Sequence, residues 1–142
     1  MKYLLDTCVI SELSKKKPLK DLITWIKLKD ESDLYLSVLT IGELYKGIAK
    51  LGEPKRKQSL LNWVESDLLK RFENRILGIT DSVARKWGEI QGKAEQKGKK
   101  ISVVDSLIAA TGLVYELQII TRNTVDMEAS GVNLFNPWDT QS

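Results

Sequence analysis

The chain has 142 residues, 42% of them hydrophobic and 29% charged, with 9 Gly and 3 Pro, which fits one globular domain able to bury its own core. Its 22 Lys and Arg against 19 Asp and Glu give a net charge of +3, a balance that permits a nucleic-acid partner without requiring one. It has no His, which excludes a Ser-His-Asp triad, a Cys-His pair, a His-ligated zinc and histidine acid–base cleavage of RNA.

Residues 2–6 read as a short buried strand that ends on Asp6, after which a helical pattern begins. Leu19, Leu22, Ile23 and Ile26 give an amphipathic helix over 19–28, with Pro18 near its start. The stretch 33–38 alternates like a strand. Over 40–51, Ile41, Leu44, Tyr45 and Ile48 form a helical stripe, and a break at 52–57 precedes a further helix over 57–72. Strand 75–80 and helix 81–97 follow, then a basic loop at 97–100. The apolar helix 102–117 leads into strand 118–121, and 132–135 is a last strand. No repeat or domain boundary interrupts this order. The expected organisation is one domain over 1–138 with a short loose tail at 139–142.

Short apolar strands alternating with amphipathic helices argue for an α/β fold, its mainly parallel sheet covered by helices on both faces. Such sheets bind ligands outside the carboxyl ends of their strands. The single Cys8 forms no internal disulfide, so a reducing cytoplasm is expected. No apolar run approaches the ~20 residues that span a bilayer. Asp6 also breaks the apolar stretch that a signal peptide would need.

Four carboxylates stand at or near helix starts: Asp6, Glu43, Asp105 and Asp126. Each has an ordinary explanation as a cap. Thr40 to Glu43 reads as a capping box, Ser102 to Asp105 has the same form, and Asn123 and Asp126 have cap spacing. The joint pattern says more. Asp6 and Asp126 follow apolar strands and Glu43 comes one turn after another, so parallel strands put all three on one edge. Asp105 opens a helix that points to the same edge. Acids gathered in one cleft repel each other unless a cation separates them. Without His or a Cys pair, the fitting ion is hard and oxygen-bound, Mg²⁺ or Mn²⁺. Such a centre suits hydrolysis of phosphodiesters.

The segments "YLLDTCVISEL", "LTIGELYKGI", "VVDSLIAAT" and "IITRNTVDME…GVNLFNPW", in that order, resemble the PIN-domain ribonucleases, and among them the toxins of VapBC-type toxin–antitoxin modules. The resemblance runs from Met1 to about Trp138. It implies Mg²⁺- or Mn²⁺-dependent endonucleolytic cleavage of RNA. The implied partners are a small antitoxin protein that occludes the site and a second copy of the chain. Asp6, Glu43, Asp105 and Asp126 match the family's four acids. Thr7, Thr121 and Asn123 fall where polar residues orient carboxylates and hold waters. Three positions depart from the family's pattern: Cys8, where Asn or Ser is frequent and which reads here as a buried small hydrophobe, Ser102 in place of Pro, and Met127 in place of Phe.

Lys15, Lys16 and Lys17, together with Arg122, are candidate RNA contacts. Further basic clusters stand at 55–57, 70–71 and 97–100. Trp25, Trp63 and Trp87 read as packing anchors, with no role in stacking bases. An apolar groove between helices 19–28 and 40–51 would accept a partner helix. Two other readings stay open. A dehalogenase-like phosphatase would use Asp6 as nucleophile, but needs a second Asp where Cys8 stands. A non-catalytic binding module would use the acids only as caps.

Overall fold

The computed structural model describes residues 1–139. Chain order runs β1 (Lys2–Leu5), α1 (Thr7–Leu13), α2 (Lys20–Lys27), a 3₁₀ turn (Glu31–Asp33), β2 (Leu34–Ser37) and α3 (Val38–Ala49). Then come α4 (Pro54–Asn62), a π-helical segment (Trp63–Leu68), α5 (Leu69–Arg71), β3 (Ile76–Leu77) and α6 (Asp81–Gln96). The chain continues through α7 (Val103–Val114), β4 (Leu117–Ile120), α8 (Thr124–Met127), a second 3₁₀ turn (Glu128–Ser130) and β5 (Leu134–Phe135). Of the tail expected at 139–142, Asp139 donates its amide to the Asn136 carbonyl at 3.2 Å, and the rest lies outside the described residues.

The strands form one sheet in the order β3-β2-β1-β4-β5, and every neighbouring pair is parallel. Period-two alternation sends Leu4 and Ile119 to one face, Leu5 and Ile120 to the other. The first pair packs with Val83, Ile90, Ile108 and Ala109 under α6 and α7. The second packs with Val9, Ile10, Leu22, Leu68 and Phe72 from the opposite helices. This is the doubly covered parallel sheet read from the sequence. Among the described residues no buried side-chain polar atom lacks a hydrogen bond.

Helix starts depart from the sequence reading at three places. α3 begins at Val38, two residues before the expected start, because Ser37 is its cap and accepts from the Leu39 amide at 3.0 Å. Thr40 and Glu43 therefore lie inside the helix and form no capping box. Asn123 makes no side-chain cap bond to α8. Ser102 does cap α7, accepting from the Asp105 amide at 3.1 Å. The helix expected over 57–72 starts at Pro54, where Glu53 accepts from the amides of Lys55 and Arg56 at 3.0 and 2.8 Å, and it relaxes into the π segment midway.

Two packing details carry measurable consequences. On α7, a Cβ added to Gly112 would stand 2.9 Å from Ile119 Cγ1 and Cδ1 and from Val132 Cγ2. The helix lies close on the sheet because the glycine is there. Overpacking costs about 1–3 kcal/mol, more than the ~1 kcal/mol that alanine gains over glycine in a helix. Gly112→Ala should lower the denaturant midpoint without changing the slope of the transition.

At the start of β2, Glu31 accepts from Arg71 Nε and Arg75 Nη2, each at 3.0 Å, and Arg75 Nη1 donates to the Leu34 carbonyl at 2.7 Å. Burial pushes the Glu31 carboxyl up, but hydrogen bonds from Arg71 and Arg75 outweigh it and hold the group below its ordinary 4.5. A depressed folded-state pKa stabilises the fold above the ordinary value, and that stability is lost as pH falls through the folded value. Glu31 is half-exposed, so the clamp is worth about 1 kcal/mol or less. Glu31→Gln should lower Tm at neutral pH, and the gap to wild type should close as the solution is acidified below 4.5.

Candidate active site

The strand order reverses between β1 and β4, and open α/β sheets bind ligands at the crevice beyond that point. Register decides what stands there. Leu5 pairs with Ile120, so the next residues, Asp6 and Thr121, emerge side by side. The Asp6 amide donates to the Ile120 carbonyl at 3.0 Å, and the Thr121 hydroxyl donates to Asp6 Oδ2 at 2.7 Å. Oδ1 accepts from the Thr7 amide at 2.8 Å, which makes Asp6 the N-cap of α1 as well. The cap reading of Asp6 holds for one oxygen, and the other oxygen is held by Thr121 at the edge of the crevice.

Glu43 reaches the site from α3. Thr40 and Glu43 are three residues apart and share a helix face, and that face meets α1 at Thr7. The Thr7 hydroxyl donates to Glu43 Oε1 at 2.5 Å and lies 3.2 Å from Thr40 Oγ1. Thr40 is fully buried. Its part in placing Thr7 was not read from the sequence, although its spacing from Glu43 was the available signal.

Asp105 stands in the first turn of α7, half-buried. A buried hydroxyl sets that turn: Ser106 Oγ accepts from Trp87 Nε1 at 3.0 Å and Gln91 Nε2 at 2.7 Å, and donates to the Ser102 carbonyl at 2.7 Å. Trp87 is thus a packing anchor with a polar handle. Trp25 likewise packs edge-on against Tyr3 and stacks with Phe135.

Asp6 is only 3% exposed. Burial is the chief cause that pushes its carboxyl above the ordinary 3.8. The charges of Asp105 and Glu43 push the same way, against the hydrogen bonds from Thr121 and Thr7. Among the described residues none of these three acids is in an ion pair. Asp126 is placed differently. It is exposed on α8 and lines a shallow depression with Lys99, Lys100 and Glu128, and it is not among the charges that act on Asp6. Glu43 and Asp105 thus both act on Asp6, while Asp126 stands exposed on α8. Among the described residues no three acidic or thiol groups form a ready-made metal cage.

Asn123 is exposed, and its amide donates to Thr121 Oγ1 at 3.0 Å, so its backbone supports the Asp6–Thr121 bond. Cys8 is half-buried and is more than the apolar filler expected from the sequence. Its Sγ accepts from the Arg122 amide at 3.3 Å and lies 3.6 Å from Thr121 Oγ1. Burial, then the charge of Asp6, pushes the thiol up, which favours its neutral form. The Arg122 guanidinium lies 4.6 Å from the centre of the Trp138 ring. Lys15 pairs with Glu12 at 2.9 Å, and Lys16 and Lys17 are exposed.

The donor set suits a hard divalent cation. It consists of carboxylate and hydroxyl oxygens, it holds uncompensated negative charge, and its central carboxylate is buried. Mg²⁺ takes one or two carboxylates directly and keeps several waters, so a closed cage is not required.

Comparison with known proteins agrees with this geometry. The chain matches the PIN domain over residues 3–128, and it belongs to that family. It is 38% identical to toxin FitB of Neisseria gonorrhoeae, covering 95% of this chain and 97% of that one, and 35% identical to the VapC ribonuclease Y4jK of Sinorhizobium fredii, covering 95% and 96%. The crystal structure of FitAcB from Neisseria gonorrhoeae superposes with a TM-score of 0.90 at 37% identity over 96% of this chain and 99% of that one. The family assignment displaces the phosphatase reading. No helix among the described residues is long and apolar enough to cross a membrane.

The raised pKa of Asp6 has a stability consequence. Above both its folded and unfolded values the ionised carboxylate destabilises the fold, and between the two the folded state takes up the extra proton. Asp6→Asn should therefore raise Tm at neutral pH in chelator. The gain should shrink towards zero below the ordinary value of 3.8. Thermal denaturation of both proteins across that pH range is the measurement.

Proposed function

We propose that the chain is a divalent-metal-dependent endoribonuclease, the toxin of a toxin–antitoxin pair. The observation that carries this reading is the buried Asp6 carboxylate at the switch point of the sheet, hydrogen-bonded to Thr121 and within electrostatic reach of Glu43 and Asp105. The names of the relatives, a VapC ribonuclease and a toxin, support the substrate class and the module.

Asp6, Glu43 and Asp105 are the acids that would hold Mg²⁺ or Mn²⁺. When bound, such an ion neutralises charge on a phosphodiester and lowers the pKa of a coordinated water. Thr121 and the Thr7 amide fix both Asp6 oxygens, so the carboxylate needs little reorientation. The Thr7 hydroxyl holds Glu43 Oε1. Asp126, on the exposed rim, acts at one remove and carries a smaller share than Asp6. RNA is the substrate, a cognate small antitoxin occludes the cleft, and the working form is a homodimer in the cytoplasm.

The test is cleavage of RNA with Mn²⁺ or Mg²⁺ and with chelator. Wild type should cut only with the ion. Loss of an outer positioning group costs about 10–100-fold in comparable sites, so Thr121→Val should fall in that range, Asp6→Asn beyond it, and Asp126→Asn should retain more activity than Asp6→Asn. Equal cleavage by wild type and Asp6→Asn would remove the mechanism. Mn²⁺ should also raise the melting temperature of wild type as its concentration passes Kd. A flat response with no RNA cleavage would favour a binding module whose acids only cap helices.

A further inference from the structure

Two basic clusters some forty residues apart in sequence meet on the surface. Lys15 and Lys16, in the turn after α1, and Lys55 and Arg56, in the first turn of α4, line one depression of ≈ 630 Å³ together with Ser14 and Ser59. Among the described residues no acid lines it, and Leu60 is the one apolar lining residue. Among the described residues Lys16, Lys55 and Arg56 are in no ion pair.

Both walls are braced. Glu12 is buried, and its carboxylate accepts from Lys15 Nζ and from the Leu19 amide, each at 2.9 Å, which ties down the turn that carries Lys16. On the other wall, Glu53 caps the amides of Lys55 and Arg56 and so fixes the start of α4. Lys16, Lys55 and Arg56, three like charges in one concavity beside the paired Lys15, repel each other and focus a field that favours an anion. The lining of cations and hydroxyls matches the groups that contact nucleic-acid phosphates. A docked protein segment would want apolar anchors, and Leu60 alone is a poor supply. The depression is also close to the acids. From Asp6 to Ser14 is one short helix, about 12 Å at ~1.5 Å per residue, so a strand cut at Asp6 reaches it with neighbouring phosphates.

We infer that this depression is a second contact for the substrate strand, holding RNA backbone phosphates outside the cleavage point. The inference rests on the endoribonuclease reading above and adds to it the path of the RNA across α1 towards α4. Contacts of this kind are sequence-independent and release counterions, and each phosphate bound contributes ~0.7 to the slope of log K against log salt for a single strand.

The experiment compares Lys16→Gln/Lys55→Gln/Arg56→Gln with the parent chain, both in an Asp6→Asn background, for binding to a single-stranded RNA oligonucleotide over a series of salt concentrations. The triple variant should bind at least about tenfold more weakly at low salt, with a slope flatter by about 2. In the active background the same substitutions should raise KM for RNA and leave kcat within about twofold, with an unchanged melting temperature, since all three side chains are exposed. Arg56→Lys should keep most of the affinity. Unchanged affinity and slope with cleavage intact would overturn the depression and spare the nuclease reading. A wild type that neither binds nor cuts RNA would overturn both. Stronger capture of poly-glutamate than of RNA, lost in the triple variant, would overturn the assignment to RNA in favour of an acidic protein segment.

Discussion

The bond between Thr121 and Asp6 is where fold and chemistry meet. It exists because two parallel strands, far apart in the chain, end in register. β1 and β4 pair from Lys2–Leu117 to Leu5–Ile120, and the residue after each is polar. A slip of one residue would turn Leu5 and Ile120 out of their core and part Asp6 from Thr121 at the same stroke. The apolar side chains that specify the sheet therefore also specify the site. Asp6 is buried because the sheet is covered, and it is tolerable there because Thr121 and the Thr7 amide satisfy its oxygens.

From this centre the remaining groups are placed by helices of ordinary construction. Ser37 starts α3 early enough to turn Thr40 and Glu43 towards Thr7. Ser102 and Ser106 start and anchor α7, so that Asp105 adds its charge to the same cleft. The hydroxyls are as important as the acids. Thr7, Thr40, Thr121, Ser37 and Ser106 are each hydrogen-bonded at a junction between elements, and four of the five are buried. An arrangement built this way holds negative charge with no ion pair to these acids among the described residues, the setting in which a cation from solution would be stabilising.

Much of this was legible from sequence because it is periodic. Alternating apolar strands and striped helices announce a parallel α/β sheet, and an acid after a strand points to its carboxyl edge. Asp6, Glu43 and Asp105 were singled out in this way, and the charges of the latter two act on the first. What stayed hidden depends on local competition or on distant approach. The motif of Thr40 and Glu43 reads as a capping box, but Ser37 took the cap and left both residues inside the helix. Asn123 has the right type for a cap, yet its side chain makes no cap bond and its backbone turns to Thr121. Asp126 follows a strand as Asp6 does, but α8 starts only after a short turn, and its carboxylate is exposed where that of Asp6 is buried. No pattern in one dimension shows that the lysines after α1 and the basic turn of α4 face each other.

Cys8 shows how such a reading errs in kind. A lone cysteine in a reducing protein is commonly a small buried hydrophobe, and Val9 and Ile10 beside it are core residues. Yet its sulfur sits among polar groups, accepting from the Arg122 amide and lying close to Thr121 and Asp6. It links the first turn of α1 to the segment after β4, the same two pieces of chain that the Asp6–Thr121 bond joins. Two hydrogen-bonded connections across one crevice are harder to open than one, since neither segment can shift without breaking both. Burial first, and then the neighbouring Asp6 carboxylate, favour the neutral thiol. The position therefore favours a weakly polar, uncharged side chain, able to accept from an amide while adding no negative charge to a cleft that already has three.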